Sequence, residues 1–115
     1  MTPRFGLKET TIEKKIGAVF ATFPQVEKAV LYGSRAIGNY KNGSDIDLCL
    51  YGGKSLTLTS LFKINQELDS LLLPYTIDLS IFEQLTNPDF IGHIRRVGVV
   101  FYERKPDTSV EIGDA

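Results

Sequence analysis

The six residues Asp45 to Leu50, Asp-Ile-Asp-Leu-Cys-Leu, constrain this chain more than any other stretch. Apolar and acidic residues alternate there with the period of a β-strand, so Ile46, Leu48 and Leu50 share one face and Asp45 and Asp47 share the other. The apolar face demands a covering layer. The acidic face is harder to explain. Two adjacent carboxylates repel each other and resist desolvation, so a strand does not carry them for stability. A bound cation removes the conflict, and hard dications prefer oxygen ligands. The bland alternative is a solvated strand face.

Upstream, Ala29-Val30-Leu31-Tyr32 is an apolar run that stops at Gly33, and Val26 to Tyr32 is expected to form a first strand. A short helix is expected from Ser34 to about Gly38, then a polar loop from Asn39 to Gly43. A helix start turns unpaired backbone N–H groups toward an anion. Gly33 lets a phosphate approach the backbone, and the Ser34 hydroxyl can add a hydrogen bond. The plainer reading makes Gly33 a turn residue and Ser34 a helix cap. Arg35 can contact phosphate or pair with an acid. Ser44 can orient the Asp45 carboxylate or simply end the loop. Downstream, Tyr75 to Phe82 predicts a third strand with Thr76, Asp78 and Ser80 on one face. If that strand neighbours the second, Asp45, Asp47 and Asp78 meet on one face. Three carboxylates can hold two Mg²⁺ ions, completed by waters and substrate phosphates.

Gly33-Ser34, ten intervening residues and then Asp45-Ile46-Asp47 resemble the signature of the DNA polymerase β-like nucleotidyltransferase superfamily. Gly-Ser-Arg-Ala-x-Gly, here Gly33 to Gly38, is similar to the form found in its minimal nucleotidyltransferases, which pair with helical HEPN or substrate-binding proteins. Ile77-Asp78-Leu79 fits the place of the family's third carboxylate. The resemblance spans roughly Ile12 to Tyr102. It implies that Asp45 and Asp47 bind two Mg²⁺ ions. Asp78 would bind the catalytic ion and help activate the acceptor hydroxyl. Many relatives are basic at the position of Ile37, so electrostatic help from there is not expected.

The remaining elements follow from periodicity and punctuation. Thr10 and Glu13 have capping-box spacing ahead of a helix with Ile12, Ile16, Val19, Phe20 and Phe23 on one face, ended by Pro24. Gly52-Gly53 is a turn, and Thr57 or Thr59 can cap a helix with Leu61, Ile64, Leu68 and Leu71 on its buried stripe. Asn87-Pro88 opens a last helix, Gly98 stops it, and Val99 to Tyr102 is a fourth strand. Strand–helix alternation alone suggests a parallel α/β sheet. The short connection between the first two strands argues that they are antiparallel. The family resemblance implies an α+β polymerase β-like palm fold, a mixed sheet of about four strands flanked by helices. One domain is expected over residues 1–104, with a flexible tail over 105–115.

Composition narrows the function classes. A net charge of −1 supplies no global field for nucleic acid or an anionic membrane, so direct nucleic-acid binding is not expected. The single cysteine, Cys49, rules out an intrachain disulfide, and one histidine, His93, argues against a zinc site. A Cys49–His93 catalytic pair is not expected. Residues 1–5 do not open like a secretory signal, and no apolar run nears the roughly 18 residues of a membrane span, so a cytoplasmic protein is expected. The leading expectation is a Mg²⁺-dependent enzyme that transfers AMP from ATP to a hydroxyl on a helical partner. The alternative is an antitoxin-like module that neutralises such a partner without chemistry. A nucleotide sensor fits less well, since it has no need of Asp78.

Overall fold

A computed structural model of the chain describes residues 10–41 and 43–105. The lead-in over residues 1–9, any cap formed by the Thr10 side chain, and the expected tail beyond Lys105 lie outside the described residues.

The elements run in the order α1 (Thr10–Ala21), β1 (Val26–Tyr32), α2 (Ser34–Ile37), β2 (Ile46–Gly52), α3 (Leu58–Asp69), β3 (Ile77–Ile81), α4 (Pro88–Val97) and β4 (Val99–Glu103). A single 3₁₀ turn, Phe82–Gln84, joins β3 to α4. The four strands form one mixed sheet in the order β3-β2-β1-β4. β1 is antiparallel to both β2 and β4, while β2 and β3 are parallel. Connection length explains the directions. α2, at four residues, does not run the length of a strand, whereas α3, at twelve, carries the chain back for a parallel connection.

Helices cover both faces. α1 and α3 bury Ile16, Phe20, Ile64 and Leu68 against Ala29, Leu31, Ile46, Leu48 and Leu50. α4 covers the other face, packing Ile94 with Val30, Tyr32 and Cys49. β1 is central and covered on both sides, which is why its second half, Ala29–Tyr32, is a continuous buried apolar run and not an alternating one. Edge strand β3 keeps the alternation, with Asp78 exposed and Ile81 buried.

Local chemistry sets the ends. Thr57 caps α3 by accepting the Ser60 N–H at 3.2 Å. Asn87 caps α4 through the N–H groups of Asp89 and Phe90, at 2.9 and 3.3 Å. α1 has no basic residue in its last turn. Arg104 supplies one from the far end of the chain, donating to the carbonyls of Phe20, Ala21 and Phe23 at 3.0–3.3 Å. A cation there opposes the negative end of the helix dipole. Gly98 ends α4 as expected, but not in the left-handed conformation of the common glycine stop, since its φ is −64°. Closeness is the reason for glycine here: a Cβ would strike the Ile94 carbonyl and the Val30 side chain.

Candidate nucleotide and metal site

The register places three residues in one row across the sheet. Tyr32 of β1 pairs with Asp47 of β2, and Asp47 pairs with Asp78 of β3. Paired residues on adjacent strands point to the same face, so this is the face that the alternation Asp45–Asp47 defines. α4 shields the middle of that face and leaves the Asp47–Asp78 end accessible. Asp47 is half-buried and Asp78 exposed. Asp45 is exposed and lies one residue ahead of β2, at the lip of the row and not inside the strand.

Charge and burial are in conflict at this end. Burial raises the Asp47 carboxyl above its ordinary range, and the neighbouring Asp78 and Asp45 raise it further. The Tyr32 phenol is pushed up to about 12, first by burial and then by Asp47, Asp78 and Cys49. Burial also raises the Cys49 thiol. The Ser80 hydroxyl lies close to Tyr32 and Cys49 and works the other way on both, although it is enclosed without a well-formed hydrogen bond of its own. Among the described residues, no three acidic, histidine or cysteine side chains close into a ready-made metal cage. Like charges without a cation keep apart. Mg²⁺ needs few protein ligands when substrate phosphates complete its shell.

The turn before α2 touches this row. Gly33 sits at φ 80° and ψ −160°, a region essentially reserved for glycine. A Cβ at Gly33 would collide with Oδ2 of Asp47. The carboxylate therefore lies directly against the Gly33 backbone, and that missing side chain joins the turn to the acid. Gly33 is also the N-cap of α2, and Ser34 is the first helical residue. The expectation that Ser34 itself caps the helix is thus corrected: its hydroxyl is left with no capping task.

Arg35 and Ser44 face a different way. Arg35 is 3% exposed, and its Nε and Nη2 both donate to the Ser44 carbonyl, at 3.1 and 2.9 Å. Its guanidinium packs on the Tyr40 and Tyr75 rings at 5.1 and 4.9 Å. The Ser44 hydroxyl accepts the Lys41 N–H at 2.8 Å, closing the loop. The structure therefore brings together Gly33, Ser34, Asp47 and Asp78, sets Asp45 at their rim, and folds Arg35 and Ser44 beneath it.

Tyr32 is a site neighbour that sequence reading did not single out, and Ser80, expected on the Asp78 face, proves to lie beside Cys49 and Tyr32. Each lies at the right parity, but only the strand pairing shows that they flank Asp47 and Cys49. Phe90 and His93 of α4 stand edge-on to the Tyr32 ring, at 5.4 and 6.4 Å between centroids. His93 thus serves as an aromatic neighbour of Tyr32.

The model of the family "Polymerase beta, Nucleotidyltransferase" matches residues 14–107. The chain belongs to that family. No curated protein matches this nucleotidyltransferase-family chain at a significant level. Among solved structures, it is similar to a chain of a toxin–antitoxin crystal structure with AMP-PNP, at 20% identity and a TM-score of 0.66, covering 89% of this chain and 82% of that one. A chain of the MntA–HepT toxin–antitoxin structure aligns with a TM-score of 0.62 at 18% identity, over 92% and 82% of the two chains. A third is in a complex of the tri-AMPylated Shewanella oneidensis HEPN toxin with its MNT antitoxin, at 19% identity and a TM-score of 0.61, over 88% and 77%. At these identities the likeness establishes the fold, which is the mixed-sheet nucleotidyltransferase fold implied by Gly33-Ser34 and Asp45-Ile46-Asp47.

Proposed function

We propose that this chain transfers AMP from ATP to a hydroxyl group on a helical HEPN-type partner. The acceptor oxygen forms a bond to the α-phosphorus, the bond from that phosphorus to the pyrophosphate oxygen breaks, pyrophosphate leaves, and the hydroxyl proton passes to solvent or a carboxylate. The observation that carries this reading is the contact of Asp47 with Gly33, which sets a helix-start turn against the Asp47–Asp78 pair. A triphosphate held by one is within reach of the other.

Gly33 and Ser34 would hold phosphate oxygens through backbone N–H groups and the Ser34 hydroxyl. Asp45, Asp47 and Asp78 fit a magnesium site, because a cation would relieve the strain that burial and mutual repulsion impose on Asp47. Two Mg²⁺ ions bound there would neutralise the triphosphate and polarise the reacting oxygens. Asp78, exposed on the edge strand β3, would orient the acceptor hydroxyl. Placement and charge neutralisation supply most of the rate in such a reaction.

The solved relatives come from toxin–antitoxin complexes, which keeps a second reading in play: neutralisation of the partner by binding alone. One experiment separates the two. The chain is incubated with ATP, Mg²⁺ and a helical HEPN-type protein, and the partner is weighed by mass spectrometry. AMP on the partner, lost in Asp78→Asn, supports transfer. A partner neutralised but unmodified, equally well by Asp45→Asn/Asp47→Asn, contradicts transfer and supports the binding module.

A further inference from the structure

Arg35 is the buried charge of this molecule, and what it grips is unusual. Only two polar or charged residues are buried among the described ones, Arg35 and Ser60. A buried guanidinium is costly unless its N–H groups are engaged and its faces are packed. Here two N–H groups converge on one carbonyl, that of Ser44, and the flat face packs on Tyr40 and Tyr75. Each anchor belongs to a different segment of the site. Arg35 directly follows the Gly33-Ser34 turn. Ser44 directly precedes Asp45. Tyr75 lies three residues before Asp78, and the adjacent Thr76 carbonyl accepts the Ile46 N–H at 2.8 Å.

We propose that Arg35 is a positioning residue: it binds no nucleotide, but clamps the phosphate-binding turn, Asp45 and the start of β3 into one rigid arrangement. This rests on the AMP-transfer reading above. A phosphate contact would require the guanidinium to leave two charge-assisted hydrogen bonds and two aromatic faces. The clamp explains the residue type. Lysine can match the charge, but not the paired donors or the planar stack. It also gives the tyrosines a role, since both rings lie against the Arg35 guanidinium. Asp45 is exposed and outside the strand ladder, so its position depends on the loop that Arg35 holds. A displacement of about 1 Å in such a group is enough to cost about 10²-fold in rate.

The test uses the full chain carrying Arg35→Lys, Tyr75→Leu or both, avoiding the larger cavity of Arg35→Ala. Two readouts are taken. Steady-state AMP transfer to the helical partner gives kcat and the KM for ATP. Hydrogen exchange without nucleotide follows the amides of Ser44 and Ile46, both hydrogen-bonded at the two ends of Asp45. The clamp predicts that each single variant lowers kcat about 30- to 100-fold while KM for ATP stays within about threefold. It predicts faster exchange at Ser44 and Ile46 but not at the core amides of Leu31 and Ile64. The double variant falls little below either single one, because the residues act as a unit. A tenfold or larger rise in KM with kcat intact in Arg35→Lys, beside a normal Tyr75→Leu, would overturn the clamp in favour of a phosphate ligand. Unchanged exchange at Ser44 and Ile46 in both variants would overturn it as well. The exchange arm needs no substrate, so a wild-type chain without transfer activity refutes the transfer reading while the clamp is still judged on its own.

Discussion

The two faces of β2 are built by opposite rules. On one, Ile46, Leu48 and Leu50 are fully buried beneath α1 and α3, and each removes apolar surface from water. Burial of that kind contributes about 1.5–3 kcal/mol per side chain. On the other, Asp47 is half-buried beside Asp78 and Asp45, with a carboxyl raised by burial and by both neighbours. Further along the same face Cys49 is buried under α4 with Val30 and Ile94, but at the Asp47 end the charges do not stabilise the fold. The same seven-residue strand, Ile46–Gly52, thus buries one face along its length and holds an unresolved charge at one end of the other. Under the proposed function, this conflict is what a bound metal would relieve.

The largest effect is expected on the apolar face. Leu48→Ala should cost about 2–5 kcal/mol in urea unfolding, through lost transfer energy and the cavity left between β2 and the helices. Any loss of activity should then track the unfolded fraction. Gly33→Ala comes next. Its Cβ would force an essentially glycine-only backbone and strike the Asp47 carboxylate, so about 1–3 kcal/mol of stability should be lost. Unlike Leu48→Ala, it should also weaken ATP binding in the fraction that remains folded, measured by calorimetry below the unfolding transition.

Ser34→Ala sharpens the contrast from the ligand side. Because Gly33 and not Ser34 caps α2, melting should move by no more than about 0.5 kcal/mol. ATP affinity should fall by about 1.5–3 kcal/mol if the hydroxyl meets a charged oxygen. The smallest effect is on metal-free stability in Asp47→Asn. A carboxyl whose folded pKa lies above its ordinary 3.8 destabilises the fold once ionised. That penalty is absent below 3.8 and fully present above the folded pKa. As pH rises through this window, the wild type should lose stability relative to Asp47→Asn, and at neutral pH the variant should be at least as stable. A variant clearly less stable at neutral pH would contradict the conflict assigned to that face.

Much of this was legible in the sequence because it is local. The end of β1 follows from the apolar run Ala29–Tyr32 stopping at Gly33, and the α4 cap follows from Asn87 preceding Pro88, while Thr57 is one of two threonines that could cap α3. The acidic face follows from period-two alternation around Asp47. What escaped needs distant parts of the chain. Tyr32 looks like one more apolar strand residue until antiparallel pairing sets it beside Asp47. Arg35 suggests a phosphate ligand one residue after Ser34. A single helical turn does not fix the direction of a long side chain, and the inward direction depends on Tyr75 from the far side of α3. The placement of α4 over Val30 and Cys49 likewise depends on β4 joining the sheet beside β1.

The central claim is that the acidic face of β2 and the Gly33-Ser34 turn form one site for a metal-bound triphosphate. Calorimetric titration of ATP into the chain with Mg²⁺ tests it most directly, comparing wild type with Asp45→Asn/Asp47→Asn. The account predicts binding by the wild type that requires Mg²⁺, and a loss of affinity of about 100-fold or more, roughly 2.7 kcal/mol, in a double variant that melts no lower than the wild type. Equal Mg²⁺–ATP affinity in the two proteins would contradict it.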